Sequence, residues 1–88
     1  MSGDLRLGPG VVLEMAEQDF CYGVGRLALR VEQVGADPGS FRKLEWVRIV
    51  GTEVHWDGDG ARREVMVRVE AIQRAIRPAD WRPGRYAG

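Results

Sequence analysis

A predicted β-hairpin constrains this chain more than any other feature of its sequence. Residues 44–71 read LEWVRIVGTEVHWDGDGARREVMVRVEA, and two runs rich in β-branched residues flank WDGDG. Asp-Gly between such runs is the strongest short-range indication of a hairpin. In the second run, residues 64–71, valines alternate with charged residues and a methionine. Because successive side chains of a strand point to opposite faces, this alternation predicts a half-buried strand.

Two earlier segments show the same alternation. Residues 11–17 are predicted as the first strand and residues 26–34 as the second. The sequence GVG at 23–25 and the sequence DPG at 37–39 supply turns, because glycine accepts positive φ and proline presets φ. The chain therefore consists of short extended segments joined by tight turns.

The third predicted strand has an irregular alternation. Val47 and Ile49 fall on one face, whereas Val54 and Trp56 fall on the other. A bulge at Gly51-Thr52 would shift the count by one residue, and glycine inside a strand often marks such a site. We therefore expect a bulge and a sharp bend there, of the kind that curves small sheets.

These segments predict an all-β fold. We expect either a small SH3-like barrel or a strongly bent antiparallel sheet of four or five strands, with a short helical turn near residues 72–76. A chain of 88 residues has room for one domain. We assign residues 1–10 to a loose arm, 11–76 to the domain and 77–88 to an irregular tail. The predicted core consists of Leu27, Leu29, Val31, Val47, Ile49, Val54, Val65, Val67 and Val69.

A resemblance to known sequences supports the same fold class. It rests on YGVGRLALRV at 22–31, EW at 45–46, GTE at 51–53, WDG at 56–58 and VRVEAI at 67–72. With these motifs the chain resembles a group of small uncharacterised actinobacterial β-rich proteins of the SH3-like barrel type. The resemblance implies a small bacterial cytoplasmic protein, and it brings no activity or binding residue with it.

The charge and cysteine content narrow the function classes. Thirteen basic residues balance thirteen acidic ones, and a general nucleic-acid or membrane-surface binder normally carries a basic excess. Cys21 is the only cysteine, so the fold cannot depend on an internal disulfide. The first ten residues lack a hydrophobic signal core, and no apolar run approaches the ~20 residues of a membrane span. We expect a cytoplasmic protein that makes no membrane contact.

No pattern of catalytic or metal-binding residues stands out. His55 and Cys21 are single residues of their kinds, whereas zinc sites use four nitrogen or sulfur ligands at short spacings. The DGDG sequence at 57–60 starts like a calcium loop, but the fifth and twelfth positions hold Ala61 and Arg68 in place of ligands. We therefore predict no metal, no cofactor and no enzymatic activity.

The aromatic residues indicate a binding surface. We predict a non-catalytic binding or accessory module that acts through protein–protein contacts, with an aromatic groove rimmed by arginines. A homodimer is also possible, because pairing would bury apolar surface that so small a domain leaves exposed. The other interpretation is that the tryptophans close the core and the arginines form solvated ion pairs. The candidate contact residues are Phe20, Tyr22, Trp46, Trp56, Arg26, Arg48 and Arg68.

The C-terminal residues suggest an alternative function. Between residues 71 and 88, four arginines stand against one aspartate, which gives a local net charge of +3. Arginines that take phosphates beside rings that stack on bases are typical of single-strand nucleic-acid binders. The competing interpretation is that these arginines dock on the acidic body of the chain. The candidate nucleic-acid residues are Arg74, Arg77, Trp81, Arg82, Arg85 and Tyr86.

Overall fold

The fold is built on one antiparallel sheet. The computed structural model describes residues 7–20, 25–36 and 43–84. Within them five strands pair in the order β4-β3-β2-β1-β5, and every pairing is antiparallel. A 3-10 turn at Glu17–Asp19 follows β1, and one α-helix, α1 (Val69–Ala75), separates β4 from β5. The strands are β1 (Val12–Met15), β2 (Leu27–Val34), β3 (Trp46–His55), β4 (Gly58–Arg68) and β5 (Ile76–Arg77).

The all-β prediction, with an antiparallel sheet of four or five strands and one short helix, is confirmed. The closed form that we considered is not adopted, because in the described part of the chain the sheet ends at β4 on one side and β5 on the other. Phe20, just after the 3-10 turn, forms an isolated antiparallel bridge with Val67 of β4. This bridge connects the β1 side of the sheet to β4 without extending into a full strand pairing.

The larger hydrophobic cluster, which we call the inner cluster, lies on one face of the sheet and is covered there by α1. We call this face the inner face. Ile72 and Ala75 of α1 pack there with Leu13 and Met15 of β1. Seven of the nine predicted core residues belong to this cluster, so the alternation identified the buried face correctly. These seven are Leu27, Leu29, Val31, Val47, Ile49, Val65 and Val67.

Val54 is buried on the opposite side, which we call the outer face. It packs with Val12 and Ala28 in a second, smaller cluster, referred to below as the outer cluster. The change of face along the third strand is therefore real, because apolar side chains are buried on both sides of the sheet at this end. No bulge is needed to bring Val54 onto the inner face.

The predicted bulge at Gly51-Thr52 is wrong in its position. β3 has no extra residue; the register shifts come from its two neighbours. Between Val31 and Gln33, β2 uses two residue steps where β3 uses one, which leaves Glu32 as the extra residue. Opposite Glu53, β4 has one residue more than β3. The shifts flank Gly51 on both sides, but they lie in β2 and β4.

The second arm of the hairpin ends earlier than its alternation predicts. β4 stops at Arg68, and Val69 begins α1 instead of continuing the strand. The buried positions of α1 are Ala71, Ile72 and Ala75, a spacing that places them on one side of a helix. Val69 is only partly buried against the inner cluster. The predicted helical turn exists, but it starts three residues earlier, and Ile76 belongs to β5.

Gly51 allows β2 and β3 to approach each other closely. It pairs with Val31 between the two register shifts. A Cβ atom built on Gly51 would overlap the carbonyl oxygen of Arg30 and lie 2.9 Å from Cγ of Leu29. Only glycine fits at this position without displacement of the β2 backbone.

We expect Gly51→Ala to lower the free energy of unfolding by about 1–3 kcal/mol, because the added methyl group must push two packed strands apart. Urea denaturation measures this change. Gly8→Ala is the matched control, since a Cβ at Gly8 meets nothing within 4 Å. Equal stability of the two variants would contradict the close approach of β2 and β3 at Gly51.

Candidate functional site

The residues after β5 cross the outer face of the sheet. The backbone N–H of Trp81 donates a hydrogen bond of 3.0 Å to the carbonyl oxygen of Pro78, which turns the chain back over β1. Trp81 then packs against the outer cluster. Within the predicted irregular tail, residues 77–88, Arg77 belongs to β5, and residues 78–84 form a second layer over one end of the sheet. We call this part the C-terminal segment.

Asp59, next to the hairpin turn, holds the C-terminal segment in place. Its carboxylate accepts hydrogen bonds from Nη1 of Arg30 at 2.8 Å and contacts Nη1 of Arg82 at 3.2 Å. Arg82 also donates to the carbonyl oxygen of His55 at 3.0 Å. The Arg30 hydrogen bond is the main reason that the pKa of Asp59 lies below its ordinary value of 3.8, and Arg82 lowers it further. One carboxylate therefore connects β2, the hairpin and the C-terminal segment.

Two more C-terminal arginines bind carboxylates of the same chain. Arg77 contacts Glu14 at 3.3 Å, and Arg74 contacts Asp19 at 3.2 Å. The side chain of Asp19 is only 8% exposed, and it also accepts a 3.0 Å hydrogen bond from the backbone N–H of Ala16. These arginines therefore neutralise acidic groups that the sheet and the 3-10 turn place beside them.

Four predicted nucleic-acid residues thus take part in contacts within the chain: Arg74, Arg77, Trp81 and Arg82. The other two, Arg85 and Tyr86, lie outside the described residues. These contacts are the ones expected from the competing interpretation, in which the arginines of the basic end dock on the acidic body of the chain. Binding of phosphates would have to compete with these ion pairs.

The C-terminal segment covers only one end of the outer face. At the other end, the side chains that point outward from β3 and β4 stay partly or largely exposed. We call this surface the open half of the outer face; its residues are Trp46, Arg48, Val50, Glu64, Met66 and Arg68. A shallow groove of about 530 Å³ runs over it, lined by Gln33, Arg48, Val50, Arg62, Arg63 and Glu64.

Ion pairs between β3 and β4, and between β2 and β4 across β3, balance the charge along this groove. Arg48 and Glu64 approach to 3.1 Å, and their side chains are 61% and 55% exposed. Arg62 binds Glu32 at 2.9 Å, and the hydroxyl of Thr52 donates to the same carboxylate at 2.6 Å. The Thr52 hydrogen bond, followed by that from Arg62, holds the pKa of Glu32 below its ordinary value of 4.5. The Glu32 carboxylate therefore stays charged at neutral pH. Because each arginine that lines the groove lies beside a carboxylate, the groove is not a net cationic site.

Trp46 and Arg68 form the most specific contact of the open half. The guanidinium carbon of Arg68 lies 4.4 Å from the centroid of the Trp46 ring, within the range of a cation–π interaction. Arg68 also contacts Glu45 at 3.4 Å. The indole is therefore held in one orientation, with part of its surface accessible.

The other candidate contact residues are elsewhere. Phe20 is only 5% exposed and belongs to the inner cluster. Arg26 is 81% exposed, beside Glu14 at 3.8 Å, and Tyr22 lies outside the described residues. Trp56 is 74% exposed at the hairpin turn.

The structure does not bring the described candidate aromatic residues into one groove. Trp46 and Trp56 are ten residues apart along the β3 strand, a distance of ~33 Å at the rise of an extended chain. Trp46, Arg48 and Arg68 do share the open half. Sequence reasoning missed Val50 and Met66 between them, although their positions relative to Arg48 and Arg68 place them on the same face of a strand.

His55, the single histidine, lies at the end of β3. Its Nε2 atom is 3.1 Å from Glu53, and Arg63 contacts the same carboxylate at 3.1 Å. The Arg63 hydrogen bond is the main reason that the pKa of Glu53 is below its ordinary value of 4.5. The three side chains form a partly exposed polar cluster around the Glu53 carboxylate.

Metal ligands are not gathered into one place in the described ranges, where no group of three or more His, Cys, Asp or Glu side chains could hold an ion. In these same ranges no helix has the length and apolar character needed to span a membrane.

Comparisons with protein-family models, curated proteins and solved structures find no match. Any functional assignment therefore rests on the geometry of the surface itself.

We expect Asp59→Asn to release the C-terminal segment, because the substitution removes the charge that holds Arg82. With Trp46→Phe and Trp56→Phe introduced, Trp81 is the single remaining tryptophan. Its fluorescence emission should shift to longer wavelength in the Asp59→Asn variant as the indole leaves the outer cluster. Asp57→Asn changes the same charge on the same hairpin and should leave the emission unchanged.

In the protein with Asp59 intact, a low pH should also shift the Trp81 fluorescence emission to longer wavelength. A carboxyl group whose pKa is lowered by folding stabilises the folded state above its unfolded pKa, and the contribution is lost as the pH falls through the folded pKa. For Asp59 that loss begins below its ordinary value of 3.8. An acid shift of equal size in the Asp59→Asn variant would show that another group holds the segment.

Proposed function

We propose that this protein is a non-catalytic binding module that acts through protein–protein contacts, and that the open half of the outer face is its contact surface. One observation carries the proposal. The chain uses its own C-terminal segment to cover the outer cluster at one end, and it leaves Val50, Met66 and Trp46 partly exposed at the other.

The chemistry of this surface fits a protein partner. Non-obligate interfaces have a mixed polar and apolar composition, and their strongest contacts are enriched in Trp and Arg. Here an indole fixed by Arg68 lies beside two partly exposed apolar side chains. Arg48 and Glu64 supply a polar rim of balanced charge. A partner with a small apolar patch and charges of both signs would match it better than a polyanion would.

Two more detailed expectations, one about the type of fold and one about the origin and location of the protein, are also proposals. We infer an SH3-like fold, which is supported by five antiparallel strands, a helical turn before the last strand and the bridge from Phe20 to Val67. We also infer a bacterial cytoplasmic protein related to the small actinobacterial group, supported by the motifs that it resembles and by a fold with no internal disulfide.

The proposed surface predicts which substitutions weaken binding. Arg48→Glu places a second negative charge beside Glu64, and Val50→Lys charges the apolar centre of the groove. Each should weaken capture of the partner by roughly tenfold or more, as substitutions in an interface centre do. The measurement is affinity capture from a lysate of the source cells with the partner quantified, followed by a binding titration with the recovered partner.

Arg26→Glu is the matched control, because it reverses the charge of a largely exposed arginine that also lies beside a glutamate, Glu14, near the covered end of the sheet. It should bind like the unaltered chain. A loss of binding as large as that of Arg48→Glu would contradict the proposed location. A labelled single-stranded oligonucleotide tests the nucleic-acid alternative: salt-sensitive binding that disappears in an Arg82→Ala, Arg85→Ala variant would overturn the proposal in favour of that alternative.

A further inference from the structure

The backbone edge of β4 offers a second kind of contact. The side chains of Arg62, Arg63 and Glu64 also line the groove of the open half, but the proposed function does not use the backbone hydrogen-bonding groups of this edge. β4 is the last strand of the sheet, and Phe20 occupies its outer edge only at Val67, through an isolated bridge. Between residues 61 and 65, β4 has no strand partner on this side within the described residues. Unpaired strand edges are templates for pairing with another chain.

Two backbone hydrogen bonds establish which groups face outward. The N–H of Val69 donates to the carbonyl oxygen of Glu45 at 2.9 Å, and this pair continues by one step the register in which Trp46 lies opposite Arg68. Hydrogen-bonded pairs alternate along an antiparallel ladder, so Val65 and Arg63 also point their backbone groups toward β3. The backbone groups of Arg62 and Glu64 therefore point outward.

The pairing of β2 with β3 gives the same result independently. The N–H of Gly35 donates to the carbonyl oxygen of Arg48 at 2.8 Å, so the backbone of Arg48 points toward β2. Because alternate residues point in opposite directions, Val47 and Ile49 point toward β4. This agrees with the direction found from Val69.

We propose that a second copy of this chain pairs with the β4 edge, antiparallel and around a two-fold axis at Arg63. In that register the outward groups of Arg62 in one copy exchange hydrogen bonds with those of Glu64 in the other. The opposite charges of these side chains then face each other twice, once on each side of the axis. The pairing goes beyond the proposed function, since it uses the strand edge.

The sequence of the edge disfavours the neighbouring registers. A two-fold axis at Arg62 would place two arginines opposite each other within a hydrogen-bonded pair, and an axis at Glu64 would do the same with two glutamates. Like charges directly opposite are destabilising. In the register centred on Arg63 two arginines also meet, but this register adds two Arg62–Glu64 pairs of opposite charge, which the other two registers lack. The charge pattern therefore selects one register.

Disulfide trapping tests the register directly. The Arg63 residues of two copies form a non-hydrogen-bonded pair, with Cα atoms ~4.5 Å apart, which is within the range of a disulfide. In a Cys21→Ser background, Arg63→Cys should give a covalent dimer on mild oxidation. Arg62→Cys and Glu64→Cys are matched controls: in this register each is ~8 Å from its own counterpart, too far for a bridge. Equal cross-linking at all three positions, or none at position 63, would overturn the proposal.

Sedimentation of the full chain provides a second test that does not depend on cysteine. The unaltered protein should show an increase in sedimentation coefficient with concentration. Arg62→Glu replaces two attractive contacts by two repulsive ones and should weaken self-association roughly tenfold, while circular dichroism reports whether the variant folds. A chain that stays monomeric at every concentration, or a dimer that Arg62→Glu leaves unchanged, overturns the inference. Capture of the heterologous partner is measured separately, so its loss would count only against the proposed function.

Discussion

The contact between Trp81 and the outer cluster is the interaction on which the rest of this structure depends. Val12 and Leu13 are neighbours in β1 and point to opposite faces, yet both are fully buried. A sheet covered by a single helix can bury only one face, so β1 needs a second covering layer. The C-terminal segment supplies it, because β5 pairs with β1 and brings Trp81 across the outer face. A very small domain thereby buries apolar surface on both sides of its sheet.

This layer also determines the distribution of charge. The last residues carry a net positive charge and the body carries the matching negative charge. Arg74, Arg77 and Arg82 each find a carboxylate on the sheet or the 3-10 turn. The basic end is thus neutralised as it docks, and the surface left for a partner is the open half, where Arg and Glu alternate between strands. Long-range attraction of a polyanion has little basis on such a surface.

Alternation along each segment was sufficient to predict the strands and most of the inner core, because one buried face imposes a period of two. The alternation placed Val54 on the other face, but the sequence could not show that Val54 is buried there, since the residue that covers it, Trp81, is far along the chain. The register shifts were misplaced for a similar reason: a bulge belongs to a pair of strands, and the glycine in β3 marks a close approach to β2. At Val69, a strand that continues from Val67 and a helix that also buries Ile72 both place the side chain toward the core. The alternation therefore could not distinguish strand from helix, and the packing of Ile72 in the core determined that a helix forms. On the open half, Trp46, Arg48 and Arg68 were chosen from the sequence for their chemistry, whereas Val50 and Met66 were not.

The edge of β4 shows how charge can restrict pairing without preventing it. A row of lysines or arginines along an exposed edge repels a second copy in every register, which is a common protection against aggregation. The sequence of this edge, Arg62-Arg63-Glu64, differs because it contains both signs in an asymmetric order. Reversed against itself, that order gives two pairs of opposite charge beside the central Arg63 pair in one register, and only a pair of like charges in each adjacent register. The same three residues also contact Glu32, Glu53 and Arg48 within the chain, so their side chains already have partners before a second copy arrives. An edge of this kind tolerates a single, specific neighbour and resists the open-ended stacking that an apolar edge invites.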